Sequence, residues 1–364
     1  MTVSQLSSQS GAATTSAVLA ERYQKIKSDN AKLRIRDAAQ QLGVSEAELV
    51  ACDLAPGSHA LTGDPRAILK ALPAAGSVMC LTRNDCAVHE RYGAFEEVRV
   101  EGPVGLVLGE DIDLRLFFRE WHSAFYLVQK LASGTRESFQ FFDRDGNAIL
   151  KIYATGETDL SVFRRTGSTC RQADASARPQ LVPGRTLPKP GANHFDKKAL
   201  RRAWSELKDT HDFHSLLKTF DADRISALRA VGAPYAEELP LRSVSQLMEP
   251  ACAKSLPIMV FVNNPGCIQI HTGAVNHFKT LGQWLNILDP TFNLHADSSQ
   301  FSSCWRVRKP SVDGIVTSLE VMDREQNLCL QFFGARKPGM RERHDWSQLV
   351  DSLPSIPVSE ENEA

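Results

Sequence analysis

Apolar and polar side chains alternate along this chain in two successive blocks, each introduced by helical patterns. In the first block Val78–Thr82, Val98–Val100, Val104–Leu108, Ile112–Phe117, Ala124–Leu131, Glu137–Asp143 and Ala148–Tyr153 read as strands, with Asp145-Gly146-Asn147 as a hairpin turn. Ahead of them Leu33, Ala38, Leu42 and Leu49 fall on compatible helical faces within Glu21–Val50, and Ser45 caps a run of helix formers. Asp64 followed by Pro65 predicts a further helix over Pro65–Leu72. The second block opens with helices over Lys197–Phe220 and Asp223–Val231 and turns to strands from Pro257 onward.

The blocks are copies of one another. Thr82-Arg83-Asn84 answers Val262-Asn263-Asn264, Ser138 answers Ser318, Asp143-Arg144 answers Asp323-Arg324, and Asn147 and Leu150 answer Asn327 and Leu330, each 180 positions apart. Solenoid repeats have periods of roughly 20–50 residues, so this is a duplicated domain half. Between Gly156 and Asn193 the pattern dissolves into Arg, Ser, Thr and Pro and predicts a linker. The expected organisation is a disordered leader (1–20), an N-terminal repeat (21–155), a Pro-rich linker (156–193), a C-terminal repeat (194–350) and an acidic tail (351–364). Helices followed by a strand meander, twice over, predict an α+β fold of two structurally repeated halves, each a large antiparallel sheet with flanking helices.

Composition narrows the class. With 42% hydrophobic and 23% charged residues in 364, the chain has ample material for a core. A formal net charge of −1 gives no global drive toward nucleic acid or anionic membrane, although Arg164-Arg165, Lys197-Lys198 and Arg201-Arg202 form local basic runs. Eight cysteines without a C-x-x-C pair fit reduced thiols better than a zinc ribbon or a disulfide framework. The Ser/Thr/Ala-rich Met1–Ala20 lacks the basic and apolar regions of a signal peptide, and no window approaches the ~18 apolar residues of a membrane span, so a cytoplasmic protein without membrane insertion is expected.

The copies differ in their chemistry. In Leu207-Lys208-Asp209-Thr210-His211-Asp212-Phe213-His214, two histidines three apart share a helical face, while the first copy has Leu33 and Arg36 at those places. By spacing alone they are either surface and boundary histidines or ligands. Arg115, Lys309 and Arg336 interrupt or follow apolar strands; they face water, or with Arg224 they hold a dianionic ligand whose apolar body lies against Phe117, Phe261, Phe333 and Leu217. His89 near Cys86, and Cys267 near His271, lack the further ligands of a closed zinc site. His59 and His89 are the first half's candidate ligands.

These segments resemble the HemS/ChuS family of bacterial cytoplasmic haem-handling proteins, including its PhuS-like branch. The resemblance is carried by Gly43-Val44-Ser45-Glu46-Ala47-Glu48-Leu49, Leu61-Thr62-Gly63-Asp64, Thr82-Arg83-Asn84, Asp113-Leu114-Arg115-Leu116-Phe117, Gly266-Cys267-Ile268-Gln269-Ile270 and Arg308-Lys309-Pro310, and runs from about Glu21 to about Trp346. It implies one haem b in a cleft of the C-terminal half, with His211 of Asp209-Thr210-His211-Asp212-Phe213 as proximal iron ligand. Arg115 matches a family arginine across the haem, Phe117 a pocket phenylalanine, and Arg224, Lys309 and Arg336 propionate-binding or polar pocket positions. Many enteric members carry phenylalanine at His214 and tyrosine at Phe333; His214 is either an alternative ligand or a polar wall.

Three functions follow from these readings. The first is sequestration of incoming haem and delivery to a haem oxygenase, with that enzyme and the cytoplasmic side of a haem uptake transporter as partners. The second is opening of the macrocycle by the protein itself, using O2 and an external reductant. The third is haem-responsive regulation through nucleic acid or another protein, against which the near-neutral charge argues and for which the basic runs Arg164-Arg165, Lys197-Lys198 and Arg201-Arg202 argue.

Overall fold

The computed structural model describes residues 16–31, 33–171, 195–337 and 339–356. Two nine-stranded antiparallel sheets dominate it, with helices at their flanks. The first sheet runs His59–Leu61, Ser123–Leu131, Gly134–Phe142, Ala148–Thr158, Gly76–Arg83 and Ala87–Ala94, then continues with Phe292–Asp297, Trp284–Leu288 and Phe278–Leu281 of the second copy. The second sheet runs Ala236–Leu239, Phe301–Ser311, Gly314–Asp323, Leu328–Gly334, Pro257–Asn264 and Cys267–Ala274, then takes Asp113–Phe117, Val104–Leu108 and Glu97–Arg99 from the first.

Each copy therefore lends three strands to the other's sheet. The seams are regular antiparallel ladders, with Leu294 opposite His89 in one sheet and Leu114 opposite Gln269 in the other. The lent strands alternate as the sequence predicts. Phe292, Leu294 and Ala296, like Leu114 and Leu116, turn inward and are almost wholly buried, so each loan covers an edge that would otherwise stand open. At the crossing the copies grip each other reciprocally. The Asn84 side chain donates to the carbonyls of Asn263 and Cys329 (both 2.8 Å), and that of Asn264 donates to the carbonyls of Arg83 (3.1 Å) and Ile149 (2.8 Å). Each also accepts two backbone N–H bonds of its own turn.

Equivalent helices are capped equivalently. Ser45 and Glu48 form a capping box on Glu46–Cys52, and Asp223 accepts from Ser226 N–H at the start of Arg224–Val231. Three elements depart from expectation. A helix begins at Ser16, inside the expected leader. Leu160–Thr169, placed in the expected linker, is a helix, because Asp159 caps it through Ser161 and Val162 N–H and Phe163 is fully buried beneath it. The expected helix Lys197–Phe220 is broken into Lys197–Ser205, a 3-10 turn Thr210–Asp212 and a short helix Phe213–Thr219. Residues 1–15 of the expected leader, 172–193 of the expected linker and 357–364 of the expected acidic tail lie outside the described residues, while the start of the expected linker continues the strand Ala148–Thr158.

Candidate functional site

The strand loan assembles the site. In the second sheet, Trp305, Glu320, Gln331, Phe261, Ile270 and Asp113 stand opposite one another in a row, and the neighbouring rows add Phe333 with Met259, and Arg115 with Ile268. Residues paired across a ladder share a face, so Arg115 and Phe117 of the first copy lie on the same face as Phe261, Phe333, Glu320 and Lys309 of the second. The opposite face, with Ile258, Val260, Val262, Leu319, Val321 and Phe332, is core. The site face is covered at one end by the helices of residues 197–231, where Trp204, Phe213, Leu217 and Leu228 pack on Trp305, Val307 and Met322. Toward Phe261, Phe333 and Phe117 the cover ends and the side chains are half-buried. The result is a cleft with an aromatic floor; Phe261 and Phe333 meet edge to face at 5.0 Å.

The broken helix sets the wall. Asp209 accepts from the backbone N–H of His211 at 2.9 Å and from its Nδ1 at 2.6 Å, and so caps the 3-10 turn Thr210–Asp212 that follows the break. Those same two bonds hold the Asp209 carboxyl below the usual range. With Nδ1–H given to a carboxylate, Nε2 of a neutral imidazole carries the free lone pair, and the side chain is 91% exposed. His214 lies in the first turn of the next helix and is also exposed; partial burial and then Lys218 and Arg224 lower its basicity.

The cations are distributed unevenly. Arg224 and Lys309 both donate to Glu320 at 2.6 Å, and both lie over the Phe213 ring, with Arg224 Cζ at 4.8 Å and Lys309 Nζ at 4.4 Å from its centre. Glu320 is fully buried, yet these two cations outweigh the desolvation and bring its carboxyl down to about 2; burial in turn lowers the Lys309 ammonium. Arg336 donates to the Met340 carbonyl, faces Asp313 at 3.8 Å, and lies near enough to Asp209 to lower its carboxyl. Arg115 pairs with Asp113, whose carboxyl is raised by burial against that pairing.

Sequence reasoning did not single out Glu320 or Asp209. Glu320 had one signal, a lone carboxylate in the apolar run Val316–Met322; Asp209 stands two residues before His211, where a cap belongs. Of the first half's candidate ligands, His59 bonds to the carbonyls of Gly57 and Gly167, and His89 is sealed between the sheets. A cavity of about 300 Å³ beside the first copy's helices is lined by Arg34, Arg36, Arg83, Asn84 and Trp284, with no histidine among its lining residues. Among the described residues no group of three or more His, Cys, Asp or Glu side chains forms a metal cluster, and no helix is long and apolar enough to cross a membrane.

Two duplicated blocks and strand-linked sheets define a pseudo-symmetric two-copy protein, and the two copies differ at His211 and His214. Residues 43–169 and 221–353 each match the domain described as "Haemin-degrading HemS.ChuX domain", and the chain belongs to that HemS family. It is 36% identical over 337 residues to the hemin transport protein HemS of Yersinia enterocolitica, spanning 92% of this chain and 96% of that one. Among solved structures it is similar to holo-PhuS, a heme-binding protein from Pseudomonas aeruginosa, with TM-score 0.91 and 43% identity over 94% of this chain and 100% of that one. It is also similar to the heme degrading enzyme ChuS of Escherichia coli O157:H7, with TM-score 0.87 and 34% identity over 94% and 100% of the two chains.

Proposed function

We propose that this protein binds one haem b in the second-copy cleft, taking it up on the cytoplasmic side of a haem uptake transporter and delivering it to a haem oxygenase. The observation that carries the proposal is the exposed His211, oriented by Asp209 through Nδ1 so that Nε2 is left free for a ligand, in the copy whose sheet carries the aromatic pair Phe261 and Phe333. That donor set suits a haem iron: one neutral imidazole with its second nitrogen hydrogen-bonded to a carboxylate. Phe117, Phe261 and Phe333 provide the apolar slot, Arg115 faces the ring from the far side of the floor, and Arg336 and Arg224 receive the propionates, with Lys309 behind them. His214, one turn along the wall, serves as a second imidazole to which the iron passes during transfer.

Similarity to the heme-binding PhuS and to the hemin transport protein HemS supports delivery. Similarity to the heme degrading enzyme ChuS supports a second reading, in which this chain itself opens the macrocycle with O2 and an external reductant and Arg115 acts as the polar donor.

Haemin titration followed in the Soret band tests the site. One equivalent is expected to bind wild type, His211→Ala to lose the native spectrum and His214→Ala to keep it. A wild-type protein without a saturable Soret change overturns the proposal. Bilin formation by the loaded protein with reductant, in the absence of an oxygenase, favours degradation over delivery.

A further inference from the structure

The buried triad at the end of the cleft holds two cations and one carboxylate. Arg224 and Lys309 share Glu320, whose Oε1 also accepts from Ser318 Oγ at 3.1 Å, and the Phe213 ring backs both cations. One positive charge is left over, and its carriers differ in access: the Lys309 side chain is 6% exposed and that of Arg224 25%. An anion at the cleft end therefore meets Arg224 first, and it meets a guanidinium already engaged by a carboxylate.

The first copy solves the same packing problem the other way round. Its triad is Glu46 with Arg83 and Lys151, of which Glu46 and Lys151 are buried and Arg83 is half-buried. There the carboxylate sits on the helix, at the residue after the cap Ser45, and the cations on the sheet; the sheet position matching Glu320 is the neutral Gln140. In the second copy the residue after the cap Asp223 is Arg224, and the carboxylate has moved to the sheet floor. This transposition places a cation on the cleft wall and an acid behind it.

Resting on the haem reading above, we infer that Glu320 is a positioning residue that competes with the ligand's carboxylate for Arg224 and Lys309, and so sets how fast the ligand is released. A charge-assisted bond shared between two carboxylates is weaker toward each than one given to a single acceptor. Geometry and grip are thereby separated. The aromatic floor and His211 define the bound pose, while Glu320 keeps the carboxylate end easy to detach.

Release of haemin to excess apomyoglobin, followed by stopped flow, tests this when run in parallel with haemin dimethyl ester, which has the same ring and iron without carboxylates. Glu320→Gln is expected to slow haemin release by about tenfold and to leave release of the ester within about twofold of wild type. Slowing of both ligands alike, or of neither, overturns the inference, because a purely structural role does not distinguish acid from ester. Arg224→Gln gives a second arm if Glu320→Gln fails to fold: haemin release should quicken and ester release should not, and equal effects on both overturn it. Failure of the haem reading looks different, since wild type then binds neither ligand.

Discussion

Acidification between pH 7 and 5 should destabilise this protein through two histidines that have no part in the proposed site. His89 and His271 lie between the two sheets, His271 stacked on Phe292 at 3.9 Å and His89 tilted against the same ring at 4.8 Å. They are 0% and 3% exposed, and none of their four ring nitrogens has a hydrogen-bond partner. Burial lowers both pKa values, helped by His271 and Arg91 for His89 and by Arg91 for His271, which falls to about 3. The unfolded chain protonates each imidazole near pH 6.5 and the folded one does not, so stability is full above that pH and drains away as pH falls toward the folded values. The slope is about 1.4 kcal/mol per pH unit per histidine, hence roughly 2 kcal/mol each, or about 4 together, at pH 5. Against a total of about 5–15 kcal/mol that is a large share. Burial lowers His295 too, which adds to the loss, whereas Glu90 and Glu342, raised by burial, act against it. The decisive quantity is therefore the difference between proteins. Urea unfolding of wild type, His89→Leu and His271→Leu at pH 7 and pH 5 should show each variant losing about 2 kcal/mol less than wild type across the interval. Equal losses in all three proteins would refute the assignment of buried neutral imidazoles.

Three further outcomes are expected. Asp209→Ala removes the acceptor at His211 Nδ1 and should weaken haemin affinity by about 10–100-fold in a Soret titration, while the lost cap costs only about 0.5–2 kcal/mol in urea unfolding. Asn84→Ala or Asn264→Ala strips two donated and two accepted bonds from the crossing of the copies, and each should cost about 2–4 kcal/mol in urea unfolding. Gly334→Ala would set a Cβ 2.6 Å from Cγ of the fully buried Trp346, and calorimetry should register a loss of about 1–3 kcal/mol.

The duplication and the class of fold were legible because alternation and turn residues are local properties that recur in frame, down to Asp143 and Asp323 at equivalent hairpin turns. The loan of strands was not. A period-two pattern states that Asp113–Phe117 is a strand with one buried face, and any antiparallel neighbour satisfies it equally. The same blindness hid Glu320, since a single acid in a strand has the same pattern whether it points to water or to two buried cations. His211 stood out as one of a pair that the other copy lacks, but its place on a turn rather than mid-helix depends on Asp209 capping the break, and helix propensity does not register that bond. The Ser, Thr and Arg content of Leu160–Thr169 reads as linker, whereas the helix rests on the cap Asp159 and the buried Phe163, two residues that composition outweighs.

The reciprocal loan bears on how one copy came to be specialised. Two identical units trading three strands would form a symmetric dimer with two identical clefts, and any substitution in one cleft would appear in the other. Joining the units in a single polypeptide lifts that constraint while keeping the architecture. Leu33 and Arg36 can then stand where the second copy has His211 and His214, and the first copy still furnishes Arg115 to its neighbour's cleft. The first copy is thus a structural part of the second copy's sheet, so that a substitution in Asp113–Phe117 bears on the face of a sheet built mostly from the other copy.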